Sequence, residues 1–524
     1  MFGMFLLGFS PILWLIVALI VLKLPGHYAT LGAAVIAFVL SVTIFKLPLL
    51  TGVEAIYEGL ALAAWPIIAT IIAAIFTYNI CLKTGAMETI KKMFVSVSND
   101  KRVLVLLIGW GFGGFMEGMA GFGTAIAIPA SMLVALGFNP VLAALVCLIA
   151  NGTPTSFGSI GIPTTTLANV TELNILTLTF NTLIQLMPFM ILSPFVMVFL
   201  TSKSFIGKGS LKSYFEGVGI ITLLSGVTFF LAALLVGTFI GPDLAVVFGS
   251  VVAMASIVVS AKKLKPAYIR PEYLLEATES TQKEVPPVSL KDALKAWSPF
   301  IFIFVLLLGT SKLLPSIHQL LATYNTTVQI VNVDEISPYV FNWISAPVVW
   351  IILSAIIAGL IQGATLKEII NVFIKTIYDL RLTILTMFAI LATAKLMGYS
   401  GMVDAITTVL VTTTGAFYPL FSPVIGALGT FVTGSGTSSG VLFGRLQSQT
   451  AIALNHTPEW IAASNSAGVS VGKMLSPQSI AIATGTTNAI GKESELMKRV
   501  MPWALFYLVG YGVLNYLYIT VLGM

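Results

Sequence analysis

Charge is what this chain has least of: 9% of its 524 residues are Asp, Glu, Lys or Arg, against about 25% in an ordinary soluble domain. That deficit excludes a soluble globular protein. With 57% hydrophobic residues it excludes disorder as well, which needs low hydrophobicity and high net charge. Cysteine is nearly absent too. Cys81 and Cys147 lie in apolar or Gly-rich surroundings and supply neither a disulfide framework nor a CxxC metal site. His27, His318 and His456 are spread too far apart for a metal cluster, so neither metal nor cofactor is expected. The formal charge of +6 is no nucleic-acid footprint, because Lys and Arg fall between hydrophobic runs rather than in one patch. The mean hydropathy of +0.98 leaves one class, a polytopic membrane protein.

The run Phe5 to Leu22 approaches the ~20 residues that span a bilayer and lacks the basic start and small-residue site of a signal peptide. It reads as a first spanning helix. A second run, Tyr28 to Phe45, follows Lys23 and Pro25, and further apolar stretches bring the expected total to about 12 to 14 membrane segments. Two regions differ. From Gly121 to Leu167 and from Gly434 to Ala483 the chain stays apolar but is cut repeatedly by Gly, Pro, Asn, Ser and Thr. Broken backbone at membrane depth survives only where protein buries it or it lines an aqueous cavity.

Basic residues orient the segments by the positive-inside rule. Lys262 to Lys295 holds seven Lys or Arg and is placed in the cytoplasm, with Lys203, Lys208, Lys212 and the stretch Lys83 to Arg102 on the same side. Gly241-Pro242-Asp243 is then a short external turn. Ser316 to Asn342, which has no Lys or Arg and carries Asp334 and Glu335, reads as an external loop.

The two broken regions resemble each other. GFGT at Gly121 to Thr124 corresponds to GSGT at Gly434 to Thr437. Asn151 precedes Pro163 by 12 residues, and Asn465 precedes Pro477 by the same interval. Thr84 to Ile90 likewise matches Ser400 to Ile406. Equivalent loops carry opposite charge: Lys83 to Arg102 is basic, whereas Gly398 to Tyr418 has no basic residue and holds Asp404. The loop around Glu54 and Glu58 is acidic, while its counterpart has Lys367, Lys375 and Arg381. Together these predict an all-α membrane protein of inverted-topology repeats with discontinuous helices or re-entrant hairpins. The expected division is 1–50 N-terminal helices, 51–200 first repeat, 201–296 linking helices and cytoplasmic loop, 297–364 linking helices and external loop, and 365–524 second repeat.

A helix that starts inside the membrane offers free N–H groups and a positive dipole end to an anion, and Gly lets the ligand approach. Gly121, Gly123 and Thr124 in one half, and Gly434, Gly436, Thr437 and Ser438 in the other, are read as two such starts around a small carboxylate. Asn151, Thr153 and Ser156, with Asn465 and Ser466, supply amide and hydroxyl partners. Charges inside the membrane are costly, which singles out Glu117 as the proton carrier and Lys473 as the cation for a substrate carboxylate. Arg445 is a substrate or an interface cation. No HExxH, GxSxG or carboxylate pair occurs in the broken regions, so an enzyme is not expected.

The residues Gly113 to Pro163, with GFMEGMAGFGT, ALGFNPVLAA and CLIAN, resemble the lactate permease family. So do GSGTSSGVLFGRLQ, SNSAG and GKMLSPQSIAIA toward the C-terminus. The likeness covers nearly the whole chain. It implies secondary transport of L-lactate, with D-lactate and glycolate as further substrates, in symport with protons across the bacterial plasma membrane. By motif it adds Pro477, Gln478 and Ser479 to the site. The chain departs from the family pattern at Gly436 and Gly440, where Asp and Asn are expected, and at Arg445, where a small residue is. The expected partners are a small monocarboxylate, protons and the lipid bilayer, in a monomer or homodimer. A sodium-coupled or dicarboxylate carrier of similar architecture is the alternative.

Overall fold

A computed structural model of the chain describes residues 2–22, 24–121, 123–264, 269–275, 288–310, 314–332, 338–489 and 491–522. Lys23 lies outside the described residues, as do Lys265, Lys283, Asp334 and Glu335, which were used above as topology signals. Eleven described helices or helix pairs are long and apolar enough to cross a membrane, and three shorter apolar helices accompany them.

The chain opens with α1 (Phe2–Ile16) and α2 (Gly26–Thr43). The first half then runs through α3 (Leu49–Leu62), α4 (Ala69–Lys83), α5 (Ala86–Val95), α6 (Lys101–Met119), α7 (Thr124–Ala135), α8 (Pro140–Gly152), α9 (Gly158–Thr171) and α10 (Ile175–Ile206). Between the halves lie α11 (Gly219–Phe239), α12 (Pro242–Lys263), α13 (Leu290–Thr310), a hairpin of β1 (Asn325–Val328) and β2 (Tyr339–Asn342), and α14 (Pro347–Gln362). The second half comprises α15 (Leu366–Asp379), α16 (Arg381–Tyr399), α17 (Met402–Thr414), α18 (Tyr418–Thr433), α19 (Gly436–Ala453), α20 (Pro458–Leu475), α21 (Pro477–Thr486) and α22 (Glu493–Leu522).

The order of elements recurs, and so do its punctuation marks. A left-handed glycine precedes both α5 (Gly85) and α17 (Gly401). Left-handed residues follow α7 (Gly137) and α19 (Asn455), and others end α9 (Glu172) and α21 (Asn488). Both α8 and α20 begin with Pro at the first helical position, where its missing N–H costs nothing. The helices α4 and α16 hold corresponding places in that order. At the end of α4, Lys83 pairs with Glu368 of α15 at 3.3 Å, and α16 begins immediately after α15 on that face. Its far end, Tyr399, donates to Glu58 of α3.

The basic segments assigned to one side meet there. Arg102 pairs with Asp100 at 2.7 Å, donates to the carbonyls of Tyr214 and Glu216, and lies 3.8 Å over the Tyr273 ring. Lys101 bonds the Glu272 carbonyl, and Gln362 bonds that of Lys295. On the opposite side, Trp65 and the β hairpin exchange bonds through Asn342 and Tyr339.

One expectation is corrected. Glu54 and Glu58 are not in a loop but in α3, and Glu58 is buried against α16. The Gly241-Pro242-Asp243 turn is short, as expected, yet covered: a Cβ on Gly161 would lie 2.6 Å from the Pro242 carbonyl carbon.

Close packing fixes the second half. At Gly426, Gly468 and Gly472 an added Cβ would come within 2.5 Å of backbone oxygen on the facing helix, so α18 and α20 touch through their main chains. Small residues of this kind drive helix association where lipid removes the hydrophobic incentive.

Candidate functional site

Both predicted breaks exist. In the first, α6 ends at Met119, Gly121 and Gly123 have φ of +59° and +86°, and α7 restarts at Thr124. In the second, Gly434 closes α18 with φ +68°. Ser435 then caps α19, its hydroxyl accepting the Ser438 N–H at 3.2 Å. The next helices break as well. After α8 the chain runs through a 3-10 turn, Thr153–Phe157, and then through Ser159, Ile160 and Gly161, all with positive φ. After α20 only Ser476 interrupts, before Pro477 opens α21.

The four breaks interlock across the halves. A Cβ on Gly123 would meet Ile482 of α21, and one on Gly436 would meet Thr155 and Pro163 of the first half. Each helix start therefore rests on the broken stretch of the other half. Ser156 also donates to the Ser466 carbonyl at 2.8 Å.

Between them lies a cavity of about 520 Å³. Glu117, Thr155, Gly158, Ser159 and Pro163 line it from the first half, and Gly434 to Ser438, Lys473, Pro477, Gln478 and Ile482 from the second. The first turns of α16 complete it with Leu382, Thr383, Thr386 and Met387, together with His27 from α2. The volume falls within the range of small-molecule sites, ~300–1,000 Å³.

Lys473 is buried and donates to the Gly434 carbonyl oxygen at 2.9 Å. This places a cation at the end of α18, where the helix dipole is negative, and beside the start of α19. There Gly436 and Thr437 lack intrahelical acceptors for their N–H groups, as the first residues of any helix do. Glu117 faces the same cavity. Its Oε1 lies close enough to Gly158 that a Cβ there would approach to 2.5 Å, and its Oε2 has no hydrogen-bond partner among the described residues. Asn151 and Lys473 are its polar neighbours, yet no described ion pair joins Glu117 to Lys473. Both side-chain atoms of Asn465 and the hydroxyl of Thr153 are likewise buried without partners among the described residues. Leaving such a group unsatisfied costs roughly 1–3 kcal/mol, so the arrangement calls for water or a polar ligand.

The predicted residues separate into three groups. Glu117, Gly434, Gly436, Thr437, Ser438, Lys473 and Gln478 line the cavity. Gly121, Gly123, Thr124, Asn151, Thr153, Ser156, Asn465, Ser466 and Ser479 build its walls without lining it. Thr124 bonds the Gly121 carbonyl, and Ser479 accepts from Ser476. Arg445 stands apart, 3.7 Å from Glu172 and 5.8 Å from the Tyr399 ring centroid. Sequence reading missed Thr383, Thr386 and His27, which sit beside basic or Pro-flanked segments read as borders. It also missed the buried pair Glu58 and Lys395, 2.8 Å apart with side chains 8% and 11% exposed. The signal was present: Lys395 and Tyr399 are one helical turn apart, and both bond Glu58.

A family profile described as L-lactate permease matches residues 4–522. An L-lactate permease of Streptococcus iniae is 43% identical over 87% of this chain and 93% of its own length. The glycolate permease GlcA of Escherichia coli is 33% identical over 98% and 95%, and an L-lactate permease of Bacillus subtilis 32% over 97% and 94%. Among solved structures, the YdaH transporter of Alcanivorax borkumensis aligns over 74% of this chain and 87% of its own, at 16% identity and a TM-score of 0.34, a likeness too slight to bear on the fold.

Proposed function

The chain belongs to the L-lactate permease family, a multi-pass permease of the bacterial plasma membrane, and from that premise we propose that it carries L-lactate, with D-lactate and glycolate as further substrates, in symport with protons by alternating access. The observation that carries this reading is the pairing on one cavity of a buried cation, Lys473, with a carboxylate, Glu117, whose Oε2 has no hydrogen-bond partner among the described residues. One cation and the open N-terminus of α19 suit one carboxylate. The hydroxyls of Thr155, Thr383 and Thr437 suit the 2-hydroxyl of the substrate. A proton on Glu117 allows anion and proton to cross together without net charge.

Recurrence of the element order, with the end of α4 paired to the helix that precedes α16, supports inverted repeats, and in such carriers the site lies near the midplane between the copies. The test is lactate-dependent alkalinisation outside proteoliposomes, with and without sodium. Proton uptake in sodium-free buffer is expected. Strict sodium dependence, or competition by succinate equal to that by lactate, would replace this reading with a sodium-coupled or dicarboxylate carrier.

A further inference from the structure

The helix α15 has three faces where a spanning helix has one or two. Ile369 and Thr376 are buried against α4, where Phe76 and Ile80 pack and Asn79 donates to Thr376 at 2.9 Å. About a third of a turn away, Leu366, Ile370, Ile374 and Ile377 recur at three- and four-residue spacing and are exposed, Ile374 to 59%. The remaining face carries Glu368, Asn371, Lys375 and Asp379. The spacing puts one stripe on protein, one on an apolar medium and one on water, the pattern of a helix lying along a membrane interface.

Position and charge agree. The helix follows α14, whose Gln362 bonds the Lys295 carbonyl, so it lies on the face that gathers the basic segments. Beyond α15, Leu385 of the spanning helix α16 is exposed as well and does not line the cavity, so apolar surface recurs where the chain enters the part that lipid covers. Lys367, Lys375 and Arg381 lie along or just beyond α15, and Arg381 stacks on the exposed Tyr378 at 4.1 Å. We infer that α15 lies in the headgroup layer of that leaflet, its isoleucine stripe in the acyl chains and its basic residues on anionic phospholipid headgroups. Only Leu380 separates it from α16, whose first turns line the cavity. Lipid headgroups thus sit within about one helical turn of the wall of the transport site, which begins at Leu382.

The experiment places a bimane-labelled cysteine at Ile374→Cys or Lys375→Cys in nanodiscs. The native Cys81 and Cys147 are fully buried and do not compete for label. Acyl-brominated lipid is expected to quench position 374 several-fold more than 375, and aqueous iodide to show the reverse. Equal quenching at both positions, or iodide quenching at 374, overturns the placement. For headgroup charge, detergent-solubilised protein is heated with added phosphatidylglycerol or phosphatidylcholine. Greater protection by phosphatidylglycerol, lost in the Lys367→Gln/Lys375→Gln variant, is expected. Equal protection by the two lipids, or protection undiminished in the variant, overturns the anionic preference. None of these readouts depends on which substrate is carried.

Discussion

Lys473 on α20 holds the carbonyl oxygen of Gly434 at the end of α18, so the buried cation of the cavity is already bonded to backbone and free of any described carboxylate. A bound carboxylate would share the ammonium with that carbonyl. Hydrogen bonds to charged groups contribute about 1.5–3 kcal/mol, so Lys473→Met is expected to weaken lactate binding about 10- to 100-fold by calorimetry. Unchanged affinity in a folded variant would reduce Lys473 to a tie between two helices.

Glu117→Gln keeps the shape of the side chain and removes its proton chemistry. Lactate exchange between equal pools is expected to persist in proteoliposomes, while accumulation driven by a pH gradient is lost. If the gradient still drives accumulation, the proton travels on another group.

The pair Glu58 and Lys395 ties α3 to α16 inside the membrane. Breaking a buried pair strands the remaining charge and costs about 3–5 kcal/mol, whereas replacing both partners by apolar residues is often neutral. Glu58→Leu and Lys395→Met are each expected to lower the unfolding temperature, and the double variant, combined with Tyr399→Phe to remove the hydroxyl that also bonds Glu58, to recover it. Cys81 and Cys147 serve as reporters, since a thiol-reactive dye reaches them only on opening. Single variants that melt like the parent would refute the pair's role.

Gly158 has ordinary backbone angles but no room, because an added Cβ would sit 2.5 Å from Oε1 of Glu117. The atom met is the end of a flexible side chain and can give way, so Gly158→Ala is expected to leave the fold intact and to lower coupled uptake by displacing that carboxylate. Gly485→Ala, with nothing within 4 Å, is the control and should transport normally.

Outside the membrane, the Thr365 backbone N–H and hydroxyl, with Lys83, hold the Glu368 carboxyl below its ordinary range. A depressed carboxylate stabilises fully above its unfolded pKa, about 4.3, and the contribution fades as pH falls through the lower folded value. Wild type should therefore melt above Glu368→Gln at pH 7, and the two curves should converge on acidification below about pH 4. A constant gap across that range would assign the difference to something other than ionisation.

What was legible in the sequence was where backbone breaks. Gly121, Gly434, Pro163 and Pro477 mark each interruption because glycine and proline act through local geometry, which a sequence displays. Pairing across the molecule was less visible. The equal Asn-to-Pro intervals suggested equivalent sites, yet Asn151 stands next to the end of α8 while Asn465 is in the middle of α20; the longer first break restores the count. Nothing in Ser159 and Ile160 foretells left-handed backbone, which they hold because Ser159 bonds the Ala120 carbonyl and Gly161 lies against Pro242. Glu58 looked like a border residue because acids in apolar runs usually are, and its lysine lies 337 residues away.

The exchange of contacts between the halves bears on how the protein is made. The first-half break leans on groups synthesised much later: Ser156 waits for the Ser466 carbonyl, 310 residues downstream. At ~5–20 residues per second that is a delay of about 15 to 60 s. During it, Asn151, Thr153 and Glu117 lie in a nascent chain whose opposing wall does not yet exist. Insertion of the first half must then proceed with those polar groups hydrated or shielded by the insertion machinery, and a ribosome stalled before Gly434 would leave a chain whose transport cavity lacks its opposing wall.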